Sequence, residues 1–447
     1  MTNSFEIIQA GRERQKLRDE VVHGWYQFVL AYPDHLISEM LQRFGADSGS
    51  VVLDPFCGTG TTLVECKKLG IDSVGIDANP ASVLASQVKT NWSVNPAQVE
   101  ELCREVIAAV APVSESFLMS DTPLFGRNGD LTVLRDSLLC ESVEGQYLIR
   151  SGMVDRHWID EVPFYISIAL LSQIKRLDAA PEYVDLLKLA LAACIVESVA
   201  NVRFGPEIYV VKDSGSHDVV RAFRAKVAQM VSDLGAVAGI GHAGRTSALE
   251  GDSRECDQVL RSAGIDRIDY VITSPPYPTE KDYTRNTRLE LVYLGFVHDH
   301  ASLRRVKHKM VRSHSKGIYK SDSDGCLVAD LPYVRALADE LREKIKGKTY
   351  GFAKLYPRII EEYFGGMYRH LVSLSRVMRR GGKAAYVVGE QCTYLQTFTP
   401  TGTVLAQLAE RPEVGFRVED VLTWRVRQGT TGSGNAIKEE IVLIERK

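Results

Sequence analysis

The sequence predicts an α/β protein of Rossmann-like type that carries a mainly helical insertion, and three stretches predict it. Val51-Val-Leu-Asp-Pro-Phe-Cys-Gly-Thr-Gly60 reads as a short strand buried on both faces, then a glycine-rich turn, with Thr61 and Thr62 opening a helix. Gly70-Ile-Asp-Ser-Val-Gly-Ile-Asp77 reads as a second strand ending in a carboxylate, which completes half of a nucleotide-binding unit. Far downstream, Asp269-Tyr-Val-Ile-Thr-Ser-Pro-Pro-Tyr277 is another apolar strand, running into a stiff loop that ends in an aromatic ring.

At 447 residues the chain is long for one compact domain, so a core with large insertions or a pair of domains is expected. Apolar residues make up 45% and charged residues 25%, the balance of a soluble globular protein. A net charge of −3 does not by itself mark a nucleic-acid binder, although basic residues can still gather on one face. The eight cysteines are scattered without a C-x-x-C pair, so no metal site is expected and the thiols should be reduced. Met1-Thr-Asn-Ser-Phe-Glu6 has neither a basic start nor an apolar run, and no stretch reaches membrane-spanning length, so the cytoplasm is the expected location.

In chain order, residues 5–20 are charged and helix-compatible and carry no evident chemistry. In the next segment, Asp34 is placed to cap a helix bearing Leu36, Ile37, Met40 and Leu41 at helical spacing. The aromatics before it (Trp25, Tyr26, Phe28, Tyr32) either wall a small-molecule pocket or pack in the core. After the opening motif, Gly58 and Gly60 permit the tight turn and let backbone approach a ligand. A helix over about Ala81–Asn91 follows. Residues 97–245 then show long helical periodicity, broken at Gly205-Pro206. Arg203 and Lys212 flank that break, which is either a substrate-facing loop or a plain surface connection. Asp252 should stand just after a strand. Arg304-Arg-Val-Lys-His-Lys-Met-Val-Arg312, continuing to His314, Lys316 and Lys320, is a basic run in a connection the core does not require; Arg304, Arg305, Lys307, Lys309 and Arg312, with Arg203, are candidate phosphate contacts. A helix around Glu361–Met378, a strand over Lys383–Gly389, and strands over Phe416–Arg425 and Glu439–Glu445 close the chain.

The glycine turn lacks the full phosphate-binding G-x-G-x-x-G and the Walker lysine. Asp77 remains, placed to grip two ribose hydroxyls. Together these argue for a nucleoside ligand without pyrophosphate, which S-adenosylmethionine fits and NAD or ATP fit poorly.

The pair of motifs resembles that of the DNA amino-methyltransferases. Asp54-Pro-Phe-Cys-Gly-Thr-Gly60 is similar to their F-x-G-x-G cofactor motif, and Thr273-Ser-Pro-Pro-Tyr277 to their [S/D/N]-P-P-[Y/F] catalytic motif. The Ser form is commonest in cytosine-N4 enzymes and is also found in adenine-N6 enzymes. Residues 23–41 look like the motif before the first strand, and Gly381–Gly389 like a later core strand. The resemblance implies a seven-stranded methyltransferase fold, S-adenosylmethionine as cofactor, and double-stranded DNA with the target base flipped out as substrate. It also implies a restriction-modification setting, with a cognate restriction endonuclease as a candidate partner. Implied for the cofactor are Asp54, Phe56, Gly58, Gly60, Asp77 and Asp252; implied for the base are Ser274, Pro275, Pro276 and Tyr277. The chain departs from the family pattern in two ways. The cofactor motif comes first, unlike the permuted order common in cytosine-N4 enzymes, and the large insert lies between the second and third strands.

The resulting division is a first core segment over 1–96, a helical insertion with a candidate target-recognition role over 97–245, core with the catalytic motif over 246–300, a basic insertion over 301–356, and core over 357–447. Cytosine-N4 methylation of DNA is the leading expectation and adenine-N6 the second. RNA guanine-N2 methyltransferases, which share a similar turn but usually have Asp before the prolines, come third. The non-enzymatic alternative is a DNA-binding protein with a vestigial methyltransferase fold.

Overall fold

The computed structural model describes residues 19–27, 32–120, 128–204, 208–211, 218–347, 351–392, 394–428 and 436–447. Residues 5–18, Phe28, Gly205, Pro206 and Lys212, all named above, lie outside these. The strands are β1 (Val51–Asp54), β2 (Asp72–Asp77), β3 (Val202–Phe204), β4 (Ile208–Val210), β5 (Thr246–Glu250), β6 (Ile268–Thr273), β7 (Met378–Gly389), β8 (Phe416–Gln428) and β9 (Ala436–Arg446). Seven of them form one sheet in the order β5-β2-β1-β6-β7-β9-β8, and β3 and β4 pair as a separate antiparallel hairpin. Neighbours from β5 to β7 are parallel, while β9 runs antiparallel to both β7 and β8. This is the Rossmann-like methyltransferase architecture expected from the two motifs and the resemblance.

The sheet is covered on both faces, and successive residues alternate between the two cores, which is why its strands read as nearly continuous apolar runs. Leu53, Val271, Tyr386 and Val442 face one side, against the helix Tyr356–Ser375. Val52, Ile272, Val387 and Leu443 face the other, against Leu36, Ile37, Met40 and Leu41 of the helix Asp34–Phe44. That helix sits where the spacing predicts, with a correction at its start. Asp34 is its first residue rather than a side-chain cap, and its carboxylate accepts from the Asp19 amide at 3.0 Å.

Between β2 and β5 the chain leaves the sheet. The helix Pro80–Thr90 returns along β2, and the described helices between Pro96 and Val237 bury a second core, including Leu186, Leu187, Phe223 and Val227. Trp25 and Tyr26 belong to that core, 0% and 3% exposed, with Trp25 Nε1 donating to Asp233 at 2.8 Å and Tyr26 donating to Glu290 at 2.7 Å. These two aromatics are therefore packing residues, not pocket walls. Arg203 lies on β3, where its guanidinium donates to the Ala200 and Val202 carbonyls, both at 2.8 Å. No described helix is long and apolar enough to cross a membrane.

Candidate active site

From β1 the chain moves outward to β2, and from β6 it moves outward the other way to β7. Connections that diverge from adjacent strands leave a crevice at the carboxyl ends of those strands, and ligands of open α/β sheets bind there. The turn Pro55–Gly60 follows β1 and the loop Ser274–Tyr277 follows β6. The two motifs, more than two hundred residues apart in sequence, thus meet at the switch point.

The turn is built by glycine conformations. Gly58 and Gly60 have φ of +50° and +85°, and a Cβ on Gly60 would lie 2.9 Å from Ser86 Oγ. The Gly58 amide donates to Asp77 Oδ2 at 2.9 Å, and the Asn79 amide donates to Oδ1 at 2.7 Å. A carboxylate offers about four acceptor sites, so each Asp77 oxygen keeps capacity for a further donor. Burial pushes the Asp77 carboxyl up to about 6 despite those two amides, with nearby Asp54 adding to the rise. Beside Gly58 nothing lies within 4 Å of where a Cβ would stand, so the backbone there fronts open space. A turn with free room above it and a half-buried carboxylate at the next strand end together fit the nucleoside and methionine parts of S-adenosylmethionine. Phe56, half-buried, packs edge-on to His370 with ring centroids 5.0 Å apart.

Asp54 departs from the expected role. It is 0% exposed and spends its oxygens on the protein: Oδ1 accepts from Thr273 Oγ1 at 2.6 Å and the Phe56 amide at 3.1 Å, and Oδ2 accepts from Thr62 Oγ1 at 2.8 Å and from Tyr32. It is a post joining the end of β1 to the residue just before Ser274, not a group facing a ligand. Asp252 is also engaged. It follows β5, but the Arg254 fork grips both of its oxygens, Nη2 at 2.6 Å and Nε at 2.9 and 3.1 Å. Arg254 in turn donates to Asp324 at 2.8 Å and to the His308 carbonyl at 2.8 Å. An adenine amino group can reach Asp252 only through the lone pairs Arg254 leaves.

In the second loop, Pro275 is buried and Ser274, Pro276 and Tyr277 are half-buried. Ser274 Oγ donates to the Val387 carbonyl of β7 at 3.1 Å. The Tyr277 hydroxyl lies farther off, at 3.4 Å, so the proton goes to the nearer Val387 carbonyl and the oxygen's lone pairs are left to accept. The Tyr277 ring lies against Gly389 at the end of β7: a Cβ on that glycine would approach Tyr277 Cε2 to 3.2 Å.

The loop continues into Glu280, whose carboxylate accepts from the Ser315 amide at 3.0 and 3.1 Å, and Asp282, which is pinned by the basic run. Lys307 Nζ lies 2.6 Å from Asp282 Oδ2, both side chains about one-tenth exposed. Burial alone would raise the Asp282 carboxyl, but His314 and Lys307, with hydrogen bonds from Lys307 and Thr284, hold it at about 2. At neutral pH Lys307 is the partner that counts, since burial pushes His314 down to about 4 against the pull of Asp282. Arg312 is 4% exposed and donates to Asp322 and to the Lys307 and Met310 carbonyls. Lys307 thus buttresses the loop, and Arg312 is a buried brace between residues 307–310 and Asp322, which corrects their reading as phosphate contacts. Lys309 pairs with Glu250 at 2.6 Å near the surface, while Arg304, Arg305, Lys316 and Lys320 are exposed. Lys307→Met is expected to lower stability by about 3–5 kcal/mol in denaturant titration, because it strands a buried carboxylate. A phosphate contact would instead leave stability unchanged and reduce the salt dependence of DNA binding.

Sequence reasoning missed Thr62, Val387, Gly389 and Arg254. Arg254 carried a signal, standing two residues after a carboxylate thought to face a ligand. Thr62 acts through its hydrogen bond to Asp54, Val387 through its carbonyl on Ser274 and Gly389 by lying under the Tyr277 ring, and none of these contacts is marked in the local sequence.

The comparisons with known proteins bear on this geometry. A family model described as DNA methylase matches residues 4–87, the stretch ending just past the glycine turn and Asp77. The type II methyltransferase M.BsoBI of Geobacillus stearothermophilus is 23% identical over 93% of this chain and 83% of its own length. The type II methyltransferase M.AvaI of a Nostoc strain is 24% identical over 98% of this chain and 86% of its own. Among solved structures, the rRNA methyltransferase aviRa from Streptomyces viridochromogenes aligns over 96% of this chain and 90% of its own, at 11% identity and a TM-score of 0.31. The strand order, the two motifs meeting at the switch point and the sequence relatives agree: the chain is a relative of the DNA amino-methyltransferases, with their fold and their cofactor, S-adenosylmethionine.

Proposed function

We propose that the chain methylates the exocyclic N4 amine of cytosine in DNA, in the manner of a restriction-modification enzyme. The observation that carries this reading is the Ser274 hydroxyl, turned by the Val387 carbonyl into an acceptor beside the cofactor turn. An exocyclic amine is a weak nucleophile because its lone pair is delocalised into the ring. Ser274 Oγ and the Pro275 carbonyl, accepting its two hydrogens, favour a pyramidal nitrogen with that lone pair available. The prolines fix where the acceptors point. The cofactor supplies an electrophilic methyl group, and holding amine and methyl in line is the chain's main contribution.

Asp77 takes the ribose hydroxyls, the Phe56–Gly60 turn takes the methionine end, and Asp252 takes the adenine amine through the acceptor capacity Arg254 leaves. Tyr277 stacks on the target base once it has left the helix, because the amine is out of reach within the duplex. Arg304 and Arg305, exposed on the helix His300–Lys309, are the phosphate contacts retained from the basic run, and the helical insertion is the proposed target-recognition region. A cognate nuclease is the proposed partner. The Ser form of the motif favours N4 of cytosine; N6 of adenine is the second reading. To test this, plasmid DNA is incubated with the protein and methyl-labelled cofactor, digested to nucleosides and analysed by mass spectrometry. N4-methylcytosine is expected; N6-methyladenine would overturn the choice of base, and an unlabelled digest would overturn the substrate.

A further inference from the structure

Three non-glycine residues with left-handed backbone gather beside the acceptor loop. Glu280 has φ +61°, and Leu395 and Gln396, consecutive, have φ +51° and +58°. Such conformations persist for side-chain-bearing residues only where the surroundings over-determine them, and they collect where a protein must hold a particular shape. Here the surroundings do so. Gln391 and Thr399 exchange two backbone hydrogen bonds at 3.1 and 2.7 Å, closing the loop at its base. The Thr397 amide donates to the Tyr394 carbonyl at 2.9 Å, and Lys344 Nζ donates to Thr397 Oγ1 at 2.8 Å. Tyr394, 1% exposed, donates to the Ser313 carbonyl at 2.7 Å, receives the Glu280 amide at 3.2 Å and packs on Tyr356 with ring centroids 4.8 Å apart.

The loop leaves the carboxyl end of β7, the strand whose last residue, Gly389, abuts the Tyr277 ring. From this fixed frame the two side chains that point outward are Gln396, exposed, and Phe398, 47% exposed. A single exposed aromatic needs no explanation on most surfaces. One offered by a strained, pinned loop at the rim of a site that must receive an extruded base does.

We propose that residues 394–398 form the element that enters the duplex when the target base leaves it. Gln396 meets the widowed partner base through its amide, and Phe398 stacks in the opened step. The inference rests on the proposed DNA-base substrate and adds the residues that open it. A rigid loop suits the task, since the side chains that fill the gap are already ordered before binding and lose little freedom there.

The test compares the wild type, Phe398→Ala and Gln396→Gly on two duplexes, one fully paired and one with a mismatch at the target base. A mismatched base is already easier to extrude. On the paired duplex both variants are expected to methylate at least about tenfold more slowly than wild type, and on the mismatched duplex to recover most of that loss. Cofactor affinity should be unchanged. Gln396→Gly should melt no lower than wild type, because glycine accepts φ +58° without strain. Wild-type rates in both variants on the paired duplex, or an equal deficit on both duplexes, would overturn the inference. If the wild type methylates neither duplex, the proposed substrate fails and the inference falls with it.

Discussion

Ser274→Ala is expected to lower methyl transfer by about 10²–10³-fold while leaving cofactor affinity unchanged, as removal of one preorganised polar group from a reaction centre does elsewhere. The substitution deletes the oxygen that the Val387 carbonyl orients and nothing that touches the glycine turn. Single-turnover transfer to DNA, measured beside equilibrium binding of the cofactor, separates the two effects. A loss confined to cofactor affinity, or wild-type transfer, would remove Ser274 from the mechanism. The fold should tolerate the change, since the hydroxyl is half-buried and a single neutral hydrogen bond contributes roughly 0.5–1.5 kcal/mol.

Asp77→Asn is expected to weaken cofactor binding by about 1.5–3 kcal/mol, the worth of a hydrogen bond to a charged group, or roughly 10- to 150-fold in Kd. It should also remove a pH dependence. Burial raises the folded carboxyl from its ordinary 3.8 to about 6, whereas ligand hydroxyls favour the ionised form. Wild-type affinity should therefore rise with pH up to about 6 and level off above it, while the variant's profile should be flat. Stability runs the other way. A carboxyl whose folded pKa is raised contributes stability that is full below its unfolded pKa and lost as pH rises through the folded one. Ionised Asp77 is thus a burden on the ligand-free protein at neutral pH. Asn keeps a single acceptor for the two amides of Gly58 and Asn79, so the variant should melt below the wild type at pH 5, and the gap should narrow as pH rises through about 6 and the wild-type carboxyl ionises. Calorimetry across pH 5–8 tests both signs; a gap that does not narrow with rising pH, in a variant that binds the cofactor as the wild type does, would contradict this reading of Asp77.

What the sequence reveals here is what local chemistry dictates. A three-residue apolar run, two glycines and a carboxylate after the next strand describe β1, its turn and β2 almost completely, because each feature constrains backbone within a few residues. The doubly covered strands are legible for the same reason: β6 and β7 are apolar on both faces. Asp54 is hard to read from sequence because two of the four donors that claim it, Thr273 and Tyr32, come from other parts of the chain, and only folding brings them together. The basic run was misread in the same way. Lys307 and Arg312 look like a charged surface in sequence, yet Asp282 and Asp322 neutralise them in the interior. Charge that is paired across the fold leaves no mark in local composition. The strain at Leu395 and Gln396 is equally hidden, since neither residue type announces a left-handed backbone.

In the proposed mechanism one crevice at the β1–β6 switch point serves both motifs. A structure of the protein with the demethylated cofactor product and a duplex carrying the target base tests it most directly. Expected there are ribose hydroxyls on Asp77, the methionine end along the Phe56–Gly60 turn, and the flipped base on Tyr277 with its amine facing Ser274 Oγ and the Pro275 carbonyl. A cofactor seated away from that turn, or one whose sulfur points away from Ser274–Tyr277, would contradict it.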